Sequence, residues 1–152
     1  MAARLAVEVV SVAEIRPFRF EYLRKGTPSE NVVFPEDDLP STRHLAIRHD
    51  DGRLVAISSW SDVESPDRPG SPALQLRGMA VSPDSRRRGF GEALIEAGVA
   101  LAAERGAAWM WANARDTALD FYRSVGFEVV GDGFLTADTR LPHHRILRAV
   151  AP

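Results

Sequence analysis

The chain has no cysteine, which excludes disulfides, thiolate metal ligands and a cysteine nucleophile at the outset. No apolar run approaches the ~18 residues that a bilayer-spanning helix needs. Met1-Ala2-Ala3-Arg4 leads straight into a strand-like segment without the design of a signal peptide, so a cytoplasmic location away from membranes is the expectation. Histidines number only four, and neither they nor the acidic residues show close ligand spacing, so no metal is expected. No Gly-x-Ser-x-Gly elbow occurs, which removes the usual serine-hydrolase arrangement. The net charge is −2, and no basic face with interleaved aromatics is present, so no nucleic-acid partner is expected. Internal repeats and low-complexity tracts are absent as well.

What is present suits one domain over residues 1–152: 45% of the residues are hydrophobic and 26% charged, enough to bury a sizeable core. Leu5–Val10 reads as a first strand, and Ser11 as the cap of a helix carrying Ile15, Phe18, Tyr22 and Leu23 on one side, with Pro17 tolerable only in its first turns. Gly26–Ser41 lacks periodicity and reads either as a loop lining a substrate entrance or as a solvated connector. His44–His49 and Leu54–Trp60 flank Asp50-Asp51-Gly52-Arg53, a hairpin signal. Ser61–Pro72 reads as an exposed, mobile loop before a fourth strand, Ala73–Val81. Helical spacing then runs from Glu92 to Glu104, with Gly106 as its stop. A strand at Ala107–Ala112, a helix from about Thr117 to Val125 closed by Gly126, and strands at Phe127–Val130 and His144–Val150 follow. The order β-α-β-β-β-α-β-α-β-β predicts an α/β (α+β) fold with a central, mixed, twisted sheet of six to seven strands flanked by helices.

The stretch richest in chemistry runs from Met79 to Leu94, a strand passing through Arg86-Arg87-Arg88-Gly89-Phe90-Gly91 into a helix. Glycines let backbone N–H groups approach an anion, the helix start leaves its first amides unpaired, and its dipole adds about half a positive charge there. Such a turn is built to hold a phosphate.

Joined to Val81-Ser82-Pro83 before it, Asn113 after the next strand and Phe121-Tyr122-Arg123-Ser124-Val125-Gly126-Phe127 beyond, this turn resembles the Q/R-x-x-G-x-G/A signature of the GCN5-related N-acetyltransferase (GNAT) family. The resemblance covers essentially the whole chain. It implies acetyl-CoA as the cofactor and transfer of its acetyl group to a primary amine of a small molecule or peptide by direct attack. It implies that the backbone of Met79, Ala80 and Val81 pairs with pantetheine as if with an added strand. The amides from Arg86 through Arg87, Arg88, Gly89, Phe90 and Gly91 to Glu92 would bind the pyrophosphate, with Arg86 and Arg88 supplying charge. Asn113 would hydrogen-bond the pantetheine arm or the substrate; a plain turn residue is its alternative. Tyr122 resembles the tyrosine that protonates the departing thiolate, with a core aromatic as the alternative. Members of this family are often dimers, so a homodimer is implied on the same ground.

One position departs from the pattern. Many GNAT enzymes carry a glutamate base two residues before the position of Met79, and here that residue is Arg77. An arginine there would clamp a carboxylate on the acceptor, or else form a structural ion pair. Candidate replacement bases are His143, His144, His44 and the acidic pair Asp37 and Asp38, an imidazole being able to relay a proton near neutral pH. Similarity to a GNAT subgroup around Leu76–Ala80, Asn113-Ala114-Arg115 and Pro142-His143 singles out Arg77, Arg115 and His143 as site residues. The missing glutamate also leaves a second class open, a non-catalytic acyl-CoA-binding module or sensor.

Overall fold

A computed structural model describes residues 6–86 and 88–151. Strands β1 (Glu8–Val10), β2 (Arg43–Arg48), β3 (Leu54–Asp62), β4 (Ala73–Val81), β5 (Trp109–Arg115), β6 (Glu128–Leu135) and β7 (Pro142–Ala149) form one mixed sheet in the order β1-β2-β3-β4-β5-β7-β6. Helices α1 (Val12–Arg19), α2 (Phe90–Glu104) and α3 (Leu119–Ser124) complete the predicted element order. Of the expected first strand, Leu5 lies outside the described residues.

The two faces of the sheet are covered unequally. Leu45, Ile47, Val55, Leu74, Leu76, Met110 and Ile146 pack with Leu94, Ile95, Ala102, Leu119 and Tyr122 from α2 and α3. Ala46 and Ile57 point the other way, onto Ile15 and Phe18 of α1. The alternation of Leu45, Ala46 and Ile47 is the period of two that lets one strand serve two layers. Helix α2 lies close over β3 because Gly98 has no side chain: a Cβ there would stand 2.3 Å from Trp60, which is fully buried. That approach fixes the height of α2 and thereby of the basic turn at its start.

Helix α1 begins as expected, Ser11 Oγ accepting from the Glu14 amide at 3.3 Å. Pro17 sits in its second turn. At Phe20 the helix widens into a π-helical segment, Phe20–Arg24, in which the Lys25 amide donates to Phe20 O at 2.8 Å across five residues. Such widenings gather at functional sites.

Only β4 and β5 run parallel, and their pairing stops after three residues, at Gln75 and Trp111. Beyond that point β5 pairs with β7 alone as far as Arg115, while β4 stays with β3. The β3–β4 ladder is itself interrupted between Arg77 and Ala80, where Gly78 has φ +62°. Strands β5 and β7 run further than the sequence suggests because the ladder continues through Ala114–His144 and Arg115–His143, which carries Asn113, Arg115 and His143 onto the sheet. The segment after β3 is pinned: Asp67 takes a bidentate pair from Arg145 at 2.7 and 3.0 Å, Ser65 is fully buried, and Trp111 Nε1 donates to Val63 O at 2.7 Å. Of the expected loop Ser61–Pro72, Ser61 and Asp62 belong to β3, and the rest is exposed at most positions, as expected, but tied to the sheet at these three points.

Candidate active site

The gap between β4 and β5 opens into a cleft of about 170 Å³. Its walls include Arg77, Gly78 and Met79 from β4, Asn113 and Arg115 from β5, Tyr122 from α3, and His143 from β7. The far wall comes from Leu23 and Arg24 of the π-helical segment, from Phe34, and from Thr136, Asp138 and Thr139 of the β6–β7 turn. Six of the site residues expected from the sequence, Arg77, Met79, Asn113, Arg115, Tyr122 and His143, thus converge on one cavity.

Tyr122 is buried, its ring edge-on to Phe121 and Phe127 at centroid distances of 5.2 and 5.6 Å. Its hydroxyl has no hydrogen-bond partner among the described residues. Burial raises its pKa well above that of an ordinary phenol, so it holds its proton at neutral pH. His143 is also buried and lies stacked on Phe134. Its Nδ1 faces Leu141 O at 2.7 Å. A carbonyl only accepts, so Nδ1 carries the hydrogen and the neutral ring keeps its lone pair on Nε2. Burial pulls the His143 pKa below 6.5 against that hydrogen bond, with the nearby charge of Arg115 acting in the same direction. The imidazole is therefore neutral at neutral pH.

The other expected bases are engaged elsewhere. Asp37 receives two hydrogen bonds from Arg19, Nη1 to Oδ2 at 2.8 Å and Nη2 to Oδ1 at 2.9 Å, and a third from the Phe34 amide. Burial alone would raise its pKa, but these bonds and the charge of Arg19 outweigh burial and leave it lowered. Asp37 is thus a buried structural anion, and Asp38 is exposed away from the cleft. His44 bonds Ser59 Oγ at 2.7 Å and Asp37 O at 3.2 Å, and burial depresses its pKa. His144 pairs with Asp116 at 2.7 Å. Neither lines the cleft.

The Arg77 carboxylate clamp is already occupied: its Nη1 donates to Glu36 Oε2 at 2.9 Å while its guanidinium lies 4.3 Å from the centre of the Phe34 ring. Arg19 stacks on the same ring at 4.0 Å. Phe34 reaches this position only because Gly78 offers no Cβ, which would stand 2.9 Å from the ring. Segment 26–41 therefore does line the cleft, through Phe34, whereas none of Ser61–Pro72 does.

At the basic turn, Gly89 is the N-cap of α2 with φ +82°, and no side chain caps the first amides. Arg86 and Arg88 are exposed beside it, Phe90 and Gly91 half-buried and Glu92 exposed; Arg87 lies outside the described residues. Gly91 is small for a reason within the protein, since a Cβ would meet the Phe121 ring at 3.0 Å. Met79, Ala80 and Val81 are half-buried along the strand edge that β5 leaves unpaired.

A family model described as an acetyltransferase (GNAT) domain matches residues 40–129. The chain belongs to the GNAT family. An N-acetyltransferase of Bacillus subtilis, YitI, itself described as uncharacterized, is 31% identical over 130 residues, covering 86% of this chain and 87% of the relative. Among solved structures, nourseothricin acetyltransferase is 28% identical with a TM-score of 0.61 over 78% of this chain and 69% of its own. An acyl-CoA N-acyltransferase from Pseudomonas aeruginosa shares the fold at a TM-score of 0.74, covering 96% of this chain and all of that one, at 21% identity. The protein is accordingly a GNAT-fold N-acetyltransferase, and acetyl-CoA is the donor its family uses. The family assignment favours the transferase over the binding module, whose one support is the glutamate missing at Arg77.

Three features of this GNAT site escape the sequence reading. Arg24 is buried at the cleft wall, with Nε donating to Asn31 O at 2.8 Å and Nη2 to Asp138 at 3.4 Å. Its only signal was a basic residue at the end of the first helical pattern. Phe34 stood in a segment without periodicity. Gln75 is 5% exposed on the cleft wall, and its Oε1 is buried with no partner. An unpartnered amide costs about 1–3 kcal/mol, and a ligand carrying N–H groups is what such a site accommodates. Gln75 shares the strand face of Arg77 two residues on, and that spacing could have found it.

Proposed function

We propose that this protein transfers the acetyl group of acetyl-CoA to a primary amine of a small molecule by direct attack within the β4–β5 cleft. The single observation that carries this reading is the convergence of a protonated, unpartnered phenol and a neutral imidazole on that cavity. Bound acetyl-CoA supplies the acyl group as a thioester.

The residues fit that donor. The unpaired edge of Met79, Ala80 and Val81 offers backbone groups to the pantetheine amides, as an added strand would, with Asn113 on the facing strand. The uncapped amides from Gly89 to Glu92 hold the pyrophosphate, with Arg86 and Arg88 supplying charge. A backbone amide at the β4 interruption polarises the acyl carbonyl. His143 Nε2 takes the proton that the acceptor ammonium loses, and Tyr122 Oη donates a hydrogen bond to the departing sulfur, which leaves as the thiolate. The two groups are suited to these opposite tasks by opposite effects of burial, which keeps the phenol protonated and the imidazole bare.

The test is acetyl-CoA consumption, followed as released thiol against amino acids, polyamines, aminoglycosides and peptides, with coenzyme A affinity measured by calorimetry. Acceptor-dependent thiol release supports the reading; tight coenzyme A binding without release for any acceptor overturns it.

A further inference from the structure

Two guanidinium groups in the cleft converge on one oxygen atom. Arg24 Nη1 donates to Leu23 O at 3.1 Å, and Arg115 Nη2 donates to the same carbonyl. Groups bonded to a common oxygen stand within about 6 Å of each other. Two cations at that separation in a half-buried setting repel; burial lowers the pKa of both, and for Arg24 the charges of Arg115, Arg77 and Arg19 act in the same direction against Asp138.

The compensation available is incomplete. Asp138 is the carboxylate on this wall, exposed by more than a third, and it reaches Arg24 only at 3.4 Å. Its Oδ1 is already taken by the Thr139 amide at 2.8 Å. Glu36 serves Arg77. Of the three arginines lining the cleft, Arg77 is therefore balanced, while Arg24 and Arg115 share one weakly held carboxylate. The hydrogen bonds divide unevenly between them. Arg24 spends three of its five N–H groups on Asn31, Leu23 and Asp138, whereas Arg115 spends one. Arg115 thus keeps a donor fork that no described residue fills.

We propose that the acceptor bears a carboxylate besides its amine, and that Arg115, backed by Arg24, is the anchor for that carboxylate. This rests on the transferase reading above and moves the anion site from Arg77 to the opposite wall of the cleft. A planar carboxylate matches the guanidinium fork, and its charge relieves the repulsion between the two arginines. Cationic polyamines and aminoglycosides, which add charge of the wrong sign, are selected against by the same excess.

The experiment uses matched pairs: each of the common amino acids, β-alanine and γ-aminobutyrate against the amine left by its decarboxylation, with 3-aminopropylphosphonate as a phosphonate control. Thiol release gives kcat and KM, and calorimetry on the protein saturated with coenzyme A gives acceptor binding without turnover. The acid member of at least one pair is expected to be preferred, and Arg115→Gln to raise its KM about 10- to 100-fold, the range for losing a charged hydrogen bond. The KM for the decarboxylated partner is expected to change far less than that of the acid. Arg115→Lys, which keeps the charge without the fork, recovers part of the loss and stands in if the glutamine variant does not fold.

Preference for the decarboxylated or phosphonate member, equal effects of Arg115→Gln on both members of a pair, or no binding by any acid of the panel overturns the anchor. Turnover of other amines in that last case leaves the transferase standing. Conversely, acid binding weakened by Arg115→Gln without turnover of any amine supports the anchor while the transferase reading falls.

Discussion

Replacing Tyr122 by phenylalanine removes one oxygen and leaves the ring that packs against Phe121 and Phe127. The hydroxyl has no protein partner among the described residues, so its loss orphans nothing. The melting temperature is therefore expected to stay within about 3 °C of wild type, 1 kcal/mol corresponding to that shift in a chain of this length. Catalysis responds differently. General-acid assistance ranges from about 100- to 10,000-fold, and the pKa values place Tyr122 at the low end. A thiol has a pKa of about 8.5, whereas the buried phenol lies above an ordinary tyrosine, so full proton transfer to the thiolate runs uphill by at least about 2 kcal/mol. The phenol helps chiefly as a hydrogen bond to the developing thiolate, and kcat is expected to fall about 100-fold, or 2.7 kcal/mol. Because the phenol does not ionise, the deficit should be constant between about pH 6 and 9. Stopped or continuous thiol assays at saturating donor, with thermal unfolding and coenzyme A calorimetry alongside, read all three quantities. A kcat within threefold of wild type, or a loss of more than ~5 °C in melting temperature, refutes the reasoning.

Three further outcomes concern the base and the buried charges, and a fourth the donor site. His143→Gln should lower kcat by about 100-fold or more and abolish the acid limb of the pH–rate profile; a limb that persists unchanged assigns the base elsewhere. Since burial holds His44 and His143 below the ordinary value of 6.5, the unfolded chain protonates first, so their contribution to stability is complete above pH 6.5 and is lost as pH falls through their lowered pKa values; chemical unfolding at pH 7.5 and 5.5 should show the drop. Asp37→Asn leaves the buried Arg19 guanidinium unpaired, which costs about 3–5 kcal/mol and should lower the melting temperature by roughly 10 °C, with calorimetry as the check. Gly89→Val forces a β-branched residue into φ +82° at the start of α2 and should weaken coenzyme A affinity about tenfold in a protein that still folds; unchanged affinity removes the turn from the donor site.

Features encoded locally are legible in the sequence: the glycine turn into α2, the Asp-Gly hairpin, the alternation in β2, and the Tyr122 motif. Each is set by residues within a few positions of one another. What the sequence hides depends on distant partners. Arg19 reads as an ordinary helical arginine, yet it is fully buried because Asp37 and Ser59, 18 and 40 residues away, close around its guanidinium. Asp37 reads as a base for the same reason in reverse, because the sequence shows a carboxylate and not its arginine. Arg77 reads as unclaimed because Glu36, which holds it, lies 41 residues upstream. The ends of β5 and β7 escape a sequence reading because each is held by the other and not by its own pattern.

The π-helical segment Phe20–Arg24 has a consequence for how acceptor choice could diverge among chains of this shape. A wide turn holds one residue more than an α-helix needs, and each residue turns the helix by about 100°. Deleting a single residue within it would restore regular winding and rotate both Leu23 and Arg24 out of the wall, removing the shared carbonyl and one guanidinium together. The β4–β5 gap, Tyr122 and the start of α2 belong to other elements and would be untouched. The Arg24 side of the cleft wall can thus be rewritten by the loss of one codon, while the β4–β5 gap that carries Arg115 is left as it is.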